Sequence, residues 1–493
     1  MTDPTILGPT IPGKKYDAFT DLSEFIQAHD LHFEMYNTKT RTIEEFHPIT
    51  PQTVGLYTCG PTVYKDAHIG NLRTYISEDI LKKALMLYGY TVKHVMNITD
   101  VGHLTDDADE GDDKMERSAK ELGLDAWHLA KIYFDKFRQD FESLNCMDPT
   151  LWASAAGHIP EQIRIIQGLE EKGFTYTTAD GVYFDTAKFP QYAQFGQLDV
   201  ENLQGGARVA LSDEKHSVTD FALWKFSRPD ERRQMEWDSP WGKGFPGWHL
   251  ECSALSLKYL GERLDIHAGG TDHIKVHHTN EIAQSESFLG HPWCNYWFHA
   301  EFLVLQGNVK MSKSSDNFLT VTSLKKEGYD PLDYRYFCLN ANYAKQLTFS
   351  WEAMDAARTS YQRLKKRMLE LKKSAQGARG SWNDAYLLAF FTPIFHDLNV
   401  SKSLGVLWNL LKDEAVSDAD KYATALIFDE LLTLGLKDLK EERKELPQEV
   451  LDLIQERDGA RKNKDYAASD RLRDALVALG YTVKDTKEGT QVE

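Results

Sequence analysis

Cysteine is scarce in this sequence. Five residues in 493, Cys59, Cys146, Cys252, Cys294 and Cys338, are odd in number and scattered, which excludes a disulfide framework and suits a reducing compartment. No disulfide-linked partner is expected. Long apolar runs are missing too, so no segment reads as a membrane span and no membrane partner is expected. The stretch from Met1 to Lys15 is broken by Pro4, Gly8, Pro9, Pro12 and Gly13, leaving no signal-peptide core. These absences together predict a cytoplasmic protein. Positive charge is also short: 57 Lys and Arg face 75 Asp and Glu, a net −18. That balance argues against a nucleic-acid partner, because phosphate contacts draw on Lys and Arg. Distribution constrains more than the sum, however. Basic clusters occur at Arg363, Lys365, Lys366, Arg367, Lys372 and Lys373, and at Arg457, Arg461, Lys462 and Lys464.

What is present reads as an α/β protein of several domains, since 493 residues exceed one hydrophobic core. A strand from Val54 to Cys59 ends in the turn Gly60-Pro61. Apolar residues then recur at helical spacing from Leu72 to Leu87, and a second strand covers Thr91 to Ile98. Strand–helix–strand with this spacing predicts a βαβ unit in a parallel sheet. A hairpin is expected over Thr175 to Asp185, inside a region that interrupts the sheet. The α/β pattern resumes with a helix at His249 to Leu260, a strand at Leu264 to Ala268, a helix at His277 to Leu289 and a strand at Trp297 to Leu305. After Pro331 the pattern is almost purely helical to Leu446. Pro447 then opens a tail with one or two helices and a final strand at Tyr481 to Lys484.

Three groups of residues carry candidate chemistry. His68-Ile-Gly-Asn71 lies between the first strand and its helix, where free amides and a partial positive charge suit phosphate. Gly70 permits close backbone approach, and His68 can donate to a phosphoryl oxygen. Lys310-Met-Ser-Lys313-Ser314 follows the last predicted strand, and two lysines on such a loop can neutralise charge developing at phosphorus. Third, His277 and Glu281 stand four apart on one helical face, so both can reach one ion. Cys59 and Cys252 can sit above the same sheet edge. Spacing alone leaves these two open between metal ligand and buried thiol.

The first two groups, in this order, resemble the paired signatures of class I aminoacyl-tRNA synthetases. Further motifs narrow the resemblance: Leu56-Tyr-Thr-Cys-Gly-Pro-Thr-Val-Tyr64, Asn97-Ile-Thr-Asp100, Asp238-Ser-Pro-Trp-Gly242, Pro246 to Ser253, Asp265 to Asp272, and His277-His-Thr-Asn-Glu281. From about Phe33 to its end the chain resembles the cysteinyl-tRNA synthetase family. The resemblance implies a Rossmann-like parallel-sheet catalytic domain (33-145 and 236-306) preceded by an N-terminal extension (1-32). An inserted connective region (146-235), a signature-loop and stem-contact region (307-331), an all-α tRNA-binding bundle (332-446) and a small C-terminal anticodon-binding module (447-493) complete it.

It further implies one zinc ion per chain on Cys59, Cys252, His277 and Glu281, with the thiolate of substrate L-cysteine as a further ligand. Gly60, Thr62, Thr99, Trp248, His249 and His267 are implied around the amino acid. Asp272 is implied at the ATP ribose, and His68, Gly70, Asn71, Lys310 and Lys313 at the triphosphate of Mg-ATP. Arg461, Asp470 and Asp485 are implied contacts to tRNA(Cys). Asn71 departs from the family's usual second histidine; it keeps a hydrogen-bond donor but carries no charge. The acidic loop Gly102 to Asp113 is longer than the family pattern. Two other readings remain: a cysteine:aminosugar ligase built on a related catalytic domain, and a non-catalytic zinc- or RNA-binding paralogue. The first would not need a tail that reads RNA. The second would not need His68, Lys310 and Lys313.

Overall fold

Along Thr91–Ile98 the last five residues are all buried, the mark of a strand covered on both faces. In the computed structural model this strand lies inside a six-stranded sheet. The structure describes residues 5–6, 17–102, 113–199, 214–228, 233–306, 309–310, 318–375, 377–378, 380–440, 447–486 and 489–492. Its strands, in chain order, are β1 (Thr5–Ile6), β2 (Thr53–Thr58), β3 (Thr91–Ile98), β4 (Leu151–Ser154), β5 (Leu264–Gly270) and β6 (Cys294–Ala300), arranged β1-β4-β3-β2-β5-β6. All neighbours are parallel except β1, which adds antiparallel to β4. From β2 the chain proceeds outward to β3 and β4, then returns to build β5 and β6 on the other side. Strand order therefore reverses between β2 and β5, and a crevice opens beyond their carboxyl ends.

The helix Ile69–Tyr88 crosses from β2 to β3. His68 caps it by accepting from Asn71 N, and Gly89, at φ 113°, ends it in the left-handed conformation. Nearly every face of this helix is buried, charged residues included. Arg73 donates to the carbonyls of Glu301, Phe302 and Asn342. Asp79 is the most heavily used. Its Oδ2 lies 2.7 Å from both Lys83 Nζ and Arg335 Nη2, and its Oδ1 accepts from Met147 N at 2.7 Å. Lys83 also donates to Asn145 O and Thr433 Oγ1, and Arg335 to Leu432 O and Leu144 O. One carboxylate thus ties the sheet's own helix to the helices Pro331–Leu339 and Asp418–Leu432 of the bundle. Burial would raise the Asp79 pKa, but the charges of Lys83 and Arg335 outweigh it and hold the carboxyl below its ordinary value.

The opposite face of the sheet is covered by the helices Trp248–Leu260 and His277–Leu289. Tyr57, Leu255, Leu264, Trp293 and Trp297 pack there in a second apolar cluster. A separate antiparallel sheet, in the order Gly244–Pro246, Phe221–Phe226, Gly181–Phe184, Thr175–Thr177, forms the insertion. Two sequence boundaries shift accordingly. β4 falls within 146-235 but belongs to the central sheet, and Gly244–Pro246 falls within 236-306 but pairs with the insertion. The single strand expected from Trp297 to Leu305 is two: β6 ends at Ala300, and Leu303–Leu305 joins a three-stranded sheet with Val309–Lys310 and Leu347–Phe349. Leu347–Phe349 also interrupts the otherwise helical run after Pro331. The N-terminal extension is packed rather than merely appended: Leu22 and Ile26 of the helix Asp17–Ala28 are buried in the main core.

The chain divides into two compact units, Met1–Leu439 and Lys440–Glu493. In the second, the helices Gln448–Lys462 and Tyr466–Ala478 enclose a small core of Val450, Leu476 and Val483. The predicted final strand is one arm of a hairpin, Val483–Thr486 with Gly489–Val492. Among the described residues no helix is long and apolar enough to cross a membrane.

Candidate active site and metal centre

β2 ends at Thr58, and the next two residues turn over the sheet edge. Gly60 is required there: a Cβ on it would lie 1.6 Å from the carbonyl oxygen of Asn97 on β3. The turn brings Cys59 over the switch point. The helix Trp248–Leu260 begins after Gly247 and carries Cys252 on its second turn, while His277–Leu289 supplies His277 and Glu281 from its first two turns. Ligand atoms of Cys59, Cys252, His277 and Glu281 all lie within 4.8 Å of one another, and all four residues are buried. Cys252 Sγ is 3.5 Å from His277 Nε2, which is 3.0 Å from Glu281 Oε1. A buried cluster of two thiols, an imidazole and a carboxylate fits a metal ion and has little other use. A second set overlaps it: Cys59, His267, His278 and Glu281 also converge within 4.8 Å. His278 Nε2 is 3.3 Å from Cys59 Sγ, and Glu281 Oε2 is 2.7 Å from His267 Nε2.

Electrostatics match this crowding. Burial, with the bond to Cys252, pushes the Cys59 thiol well up. Cys252 is equally buried, yet the bonds from Cys59 and His277 hold it below its ordinary value. Burial would lift Glu281 too, but the charges of His267 and His277 bring it down to about 2. Burial would lower His277, but Glu281 and Cys252 raise it to about 10. Any cation entering must displace the His277 proton, so its affinity falls as pH falls.

Beside the cluster lies a cavity of about 250 Å³. Cys59, Gly60, Thr62, Asn71, Thr99, Trp248, His249, Cys252, Asp272 and His277 line it, so most residues expected around amino acid and nucleotide share one wall. His267 and Glu281, both fully buried, stand behind that wall. Asp272 follows β5 in the turn Thr271–His273. His68 Nδ1 accepts from Asn71 N at 3.0 Å, so the neutral ring carries its proton on Nε2. A side chain at position 70 would press on that ring, with its Cβ 2.9 Å from His68 Nδ1. Lys310 closes the strand Val309–Lys310. Lys313 lies outside the described residues, as does most of the acidic loop from Gly102 to Asp113.

In the second unit the expected RNA-reading residues divide. Asp470 is exposed. Asp485 accepts from Arg457 at 2.7 Å and from Arg461 at 2.9 Å. Arg457 is buried and also donates to Thr490 Oγ1 at 2.6 Å. It anchors the hairpin to its helix.

Comparison with known proteins bears on all of this. Residues 45–359 match the family described as tRNA synthetases class I (C) catalytic domain, and residues 443–492 match the cysteinyl-tRNA ligase anticodon binding domain. "Cysteine--tRNA ligase 1" of Burkholderia lata is 49% identical over 458 residues, covering 93% of this chain and 96% of that one. The chain belongs to the cysteinyl-tRNA synthetase family. "Cysteine--tRNA ligase" of Treponema denticola is 41% identical over 482 residues, covering 92% of this chain and 97% of its own. Among solved structures, a Mycobacterium tuberculosis methionyl-tRNA synthetase in complex with methionyl-adenylate aligns with a TM-score of 0.56. It covers 78% of this chain and 92% of that one at 15% identity, a likeness of fold. In this cysteinyl-tRNA synthetase family member, sequence reasoning did not single out His278, Asn97 or Glu251. His278 adjoins a proposed ligand and Asn97 lies in a quoted motif, but only folding shows what each touches.

Proposed function

We infer that the chain activates L-cysteine with Mg-ATP to cysteinyl-adenylate and transfers the cysteinyl group to the 3′ end of tRNA(Cys) in the cytoplasm. The observation that carries this reading is a buried two-thiol, imidazole and carboxylate cluster opening onto a cavity at the strand switch point. Cys59, Cys252, His277 and Glu281 hold one zinc ion, which when bound supplies a ligand position for a thiolate and a charge that favours it. Serine differs from cysteine by a single atom, and a hydrophobic pocket separates such near-isosteres by only about 1–3 kcal/mol. Thiolate ligation does better, because a hydroxyl is harder and far less acidic.

Gly60, Thr62, Thr99, Trp248 and His249 surround the amino acid, and His267 braces Glu281 from behind. Asp272 takes the ribose. His68, with its proton on Nε2, and Gly70 and Asn71 at the helix N-terminus face the triphosphate together with Lys310 and Lys313. The carboxylate of cysteine attacks the α-phosphorus in line, and the bond to pyrophosphate breaks. The terminal ribose hydroxyl of the tRNA then attacks the adenylate carbonyl and AMP leaves. Lys313→Ala is expected to slow adenylate formation with cysteine affinity nearly unchanged, because its contact forms mainly in the transition state. Weaker cysteine binding at an unchanged rate would remove Lys313 from this role.

Cysteine-dependent ATP–pyrophosphate exchange tests the reading and separates it from a non-catalytic paralogue. The match at 443–492 favours tRNA over an aminosugar as acceptor. A chain ended before Pro447 lacks Arg461, Asp470 and Asp485 but keeps every residue assigned to activation. It is expected to retain exchange and to lose most tRNA charging, with the full chain showing the steeper salt dependence. Equal charging by both forms would release the tail from the anticodon. Exchange without charging by either would move the aminosugar ligase to first place.

A further inference from the structure

Thr99, on the cavity wall, is joined to its surroundings by a directed chain of hydrogen bonds. Gly60 N donates to Asn97 Oδ1 at 2.7 Å, Asn97 Nδ2 donates to Thr99 Oγ1 at 2.9 Å, and Thr99 Oγ1 donates to Glu251 Oε2 at 3.0 Å. Its backbone is fixed as well: Thr99 N donates to Pro61 O, and Thr99 O accepts from Val63 N. Asn97, Thr99 and Glu251 are all buried.

A threonine hydroxyl has one proton and two lone pairs. Glu251 takes the proton and the Asn97 amide fills one lone pair. The remaining lone pair is the only hydrogen-bonding capacity Thr99 Oγ1 has left, and it can only accept. A hydroxyl locked as an acceptor and backed by a buried carboxyl group suits a cationic donor. It cannot donate to a carboxylate. Glu251 also adjoins Cys252 in sequence, so one helix turn carries both a proposed metal ligand that lines the cavity and the buried carboxyl group that holds Thr99.

We propose that Glu251 and Asn97 are positioning residues that lock the Thr99 hydroxyl as an acceptor for the α-ammonium of the amino-acid substrate. The cavity thereby selects a thiol that bears an amine at the neighbouring carbon over the same thiol without one. The proposal rests on the reading of the cavity as the cysteine site, and adds a second recognition element beside thiolate ligation.

The test compares L-cysteine with 3-mercaptopropionate, which differs from it only by lacking the amino group. Dissociation constants for both are measured on the full-length, zinc-loaded protein. The wild type is expected to prefer cysteine by at least about tenfold, the scale of one charge-assisted hydrogen bond. Glu251→Ala and Asn97→Ala are each expected to erase most of that preference by weakening cysteine alone, with 3-mercaptopropionate binding and zinc content kept, and a variant that keeps the wild-type preference overturns the proposal. Equal binding of the two thiols by the wild type overturns the proposal without recourse to any variant. So does a variant in which both thiols weaken alike, which marks a structural role only. Failure of cysteine-dependent pyrophosphate exchange in the wild type would instead overturn the underlying functional reading.

Discussion

Replacing Cys252 with serine is expected to abolish metal binding and cysteine activation together. The residue is buried within ligand distance of Cys59, His277 and Glu281, and a serine hydroxyl is a poor substitute for a thiolate at a zinc site. Changes to residues that merely orient a ligand cost about 10–100-fold in metal affinity, and loss of a ligand costs more. Metal analysis of the purified Cys252→Ser protein should find well under one zinc per chain, and exchange should fall to background. Cys294→Ser is the control. That thiol is also buried, but it lies at the start of β6 in the second apolar cluster, where burial pushes its pKa above the usual range, and its hydrogen bonds go to the backbone carbonyls of Asp265 and Tyr296. It should keep metal and activity. Full zinc occupancy in Cys252→Ser would remove it from the ligand set and leave Cys59, His267, His278 and Glu281 as the alternative.

The second large effect is one of stability. Asp79→Ala leaves Lys83 and Arg335 buried without their shared counter-charge. Breaking a buried ion pair from one side costs about 3–5 kcal/mol, and here one residue serves two cations. Denaturant unfolding of the first unit should shift accordingly. The pH dependence follows from the direction of the pKa. Because the folded carboxyl sits below its ordinary 3.8, its contribution is complete above that value and is lost as pH falls through the lower, folded one. The wild type should therefore lose stability on acidification more steeply than the Asp79→Ala protein. Parallel acid curves for the two would show that Asp79 does not titrate as described.

Much of the architecture was legible because burial leaves a period in the sequence. Thr91–Ile98 and His277–Leu289 begin and end where the pattern placed them, and Gly89 and Gly290 supply the left-handed stops. β4 was not legible as part of the main sheet, because Leu-Trp-Ala-Ser is too short to show a period and lies far in sequence from its partner. The break at Glu301-Phe302 was hidden by apolar residues on both sides of it, although Arg73 uses the two carbonyls that the break frees. The proposed metal ligands could be placed on elements, yet spacing alone gave no reason to join Cys59 to residues some two hundred positions away. The Thr99–Glu251 bond spans 152 positions, and no local pattern announces it. Tertiary pairing of polar groups leaves no periodic trace.

The helix Ile69–Tyr88 is 20 residues long, about 30 Å of rod. Asn71 and Thr74 at its first end border the cavity, while Asp79 and Lys83 further along grip the bundle. No glycine or proline follows Gly70 within it, so it has no joint at which to bend. Any displacement of the bundle that carries Asp79 and Lys83 with it therefore reaches the cavity mouth as tilt of a single strut.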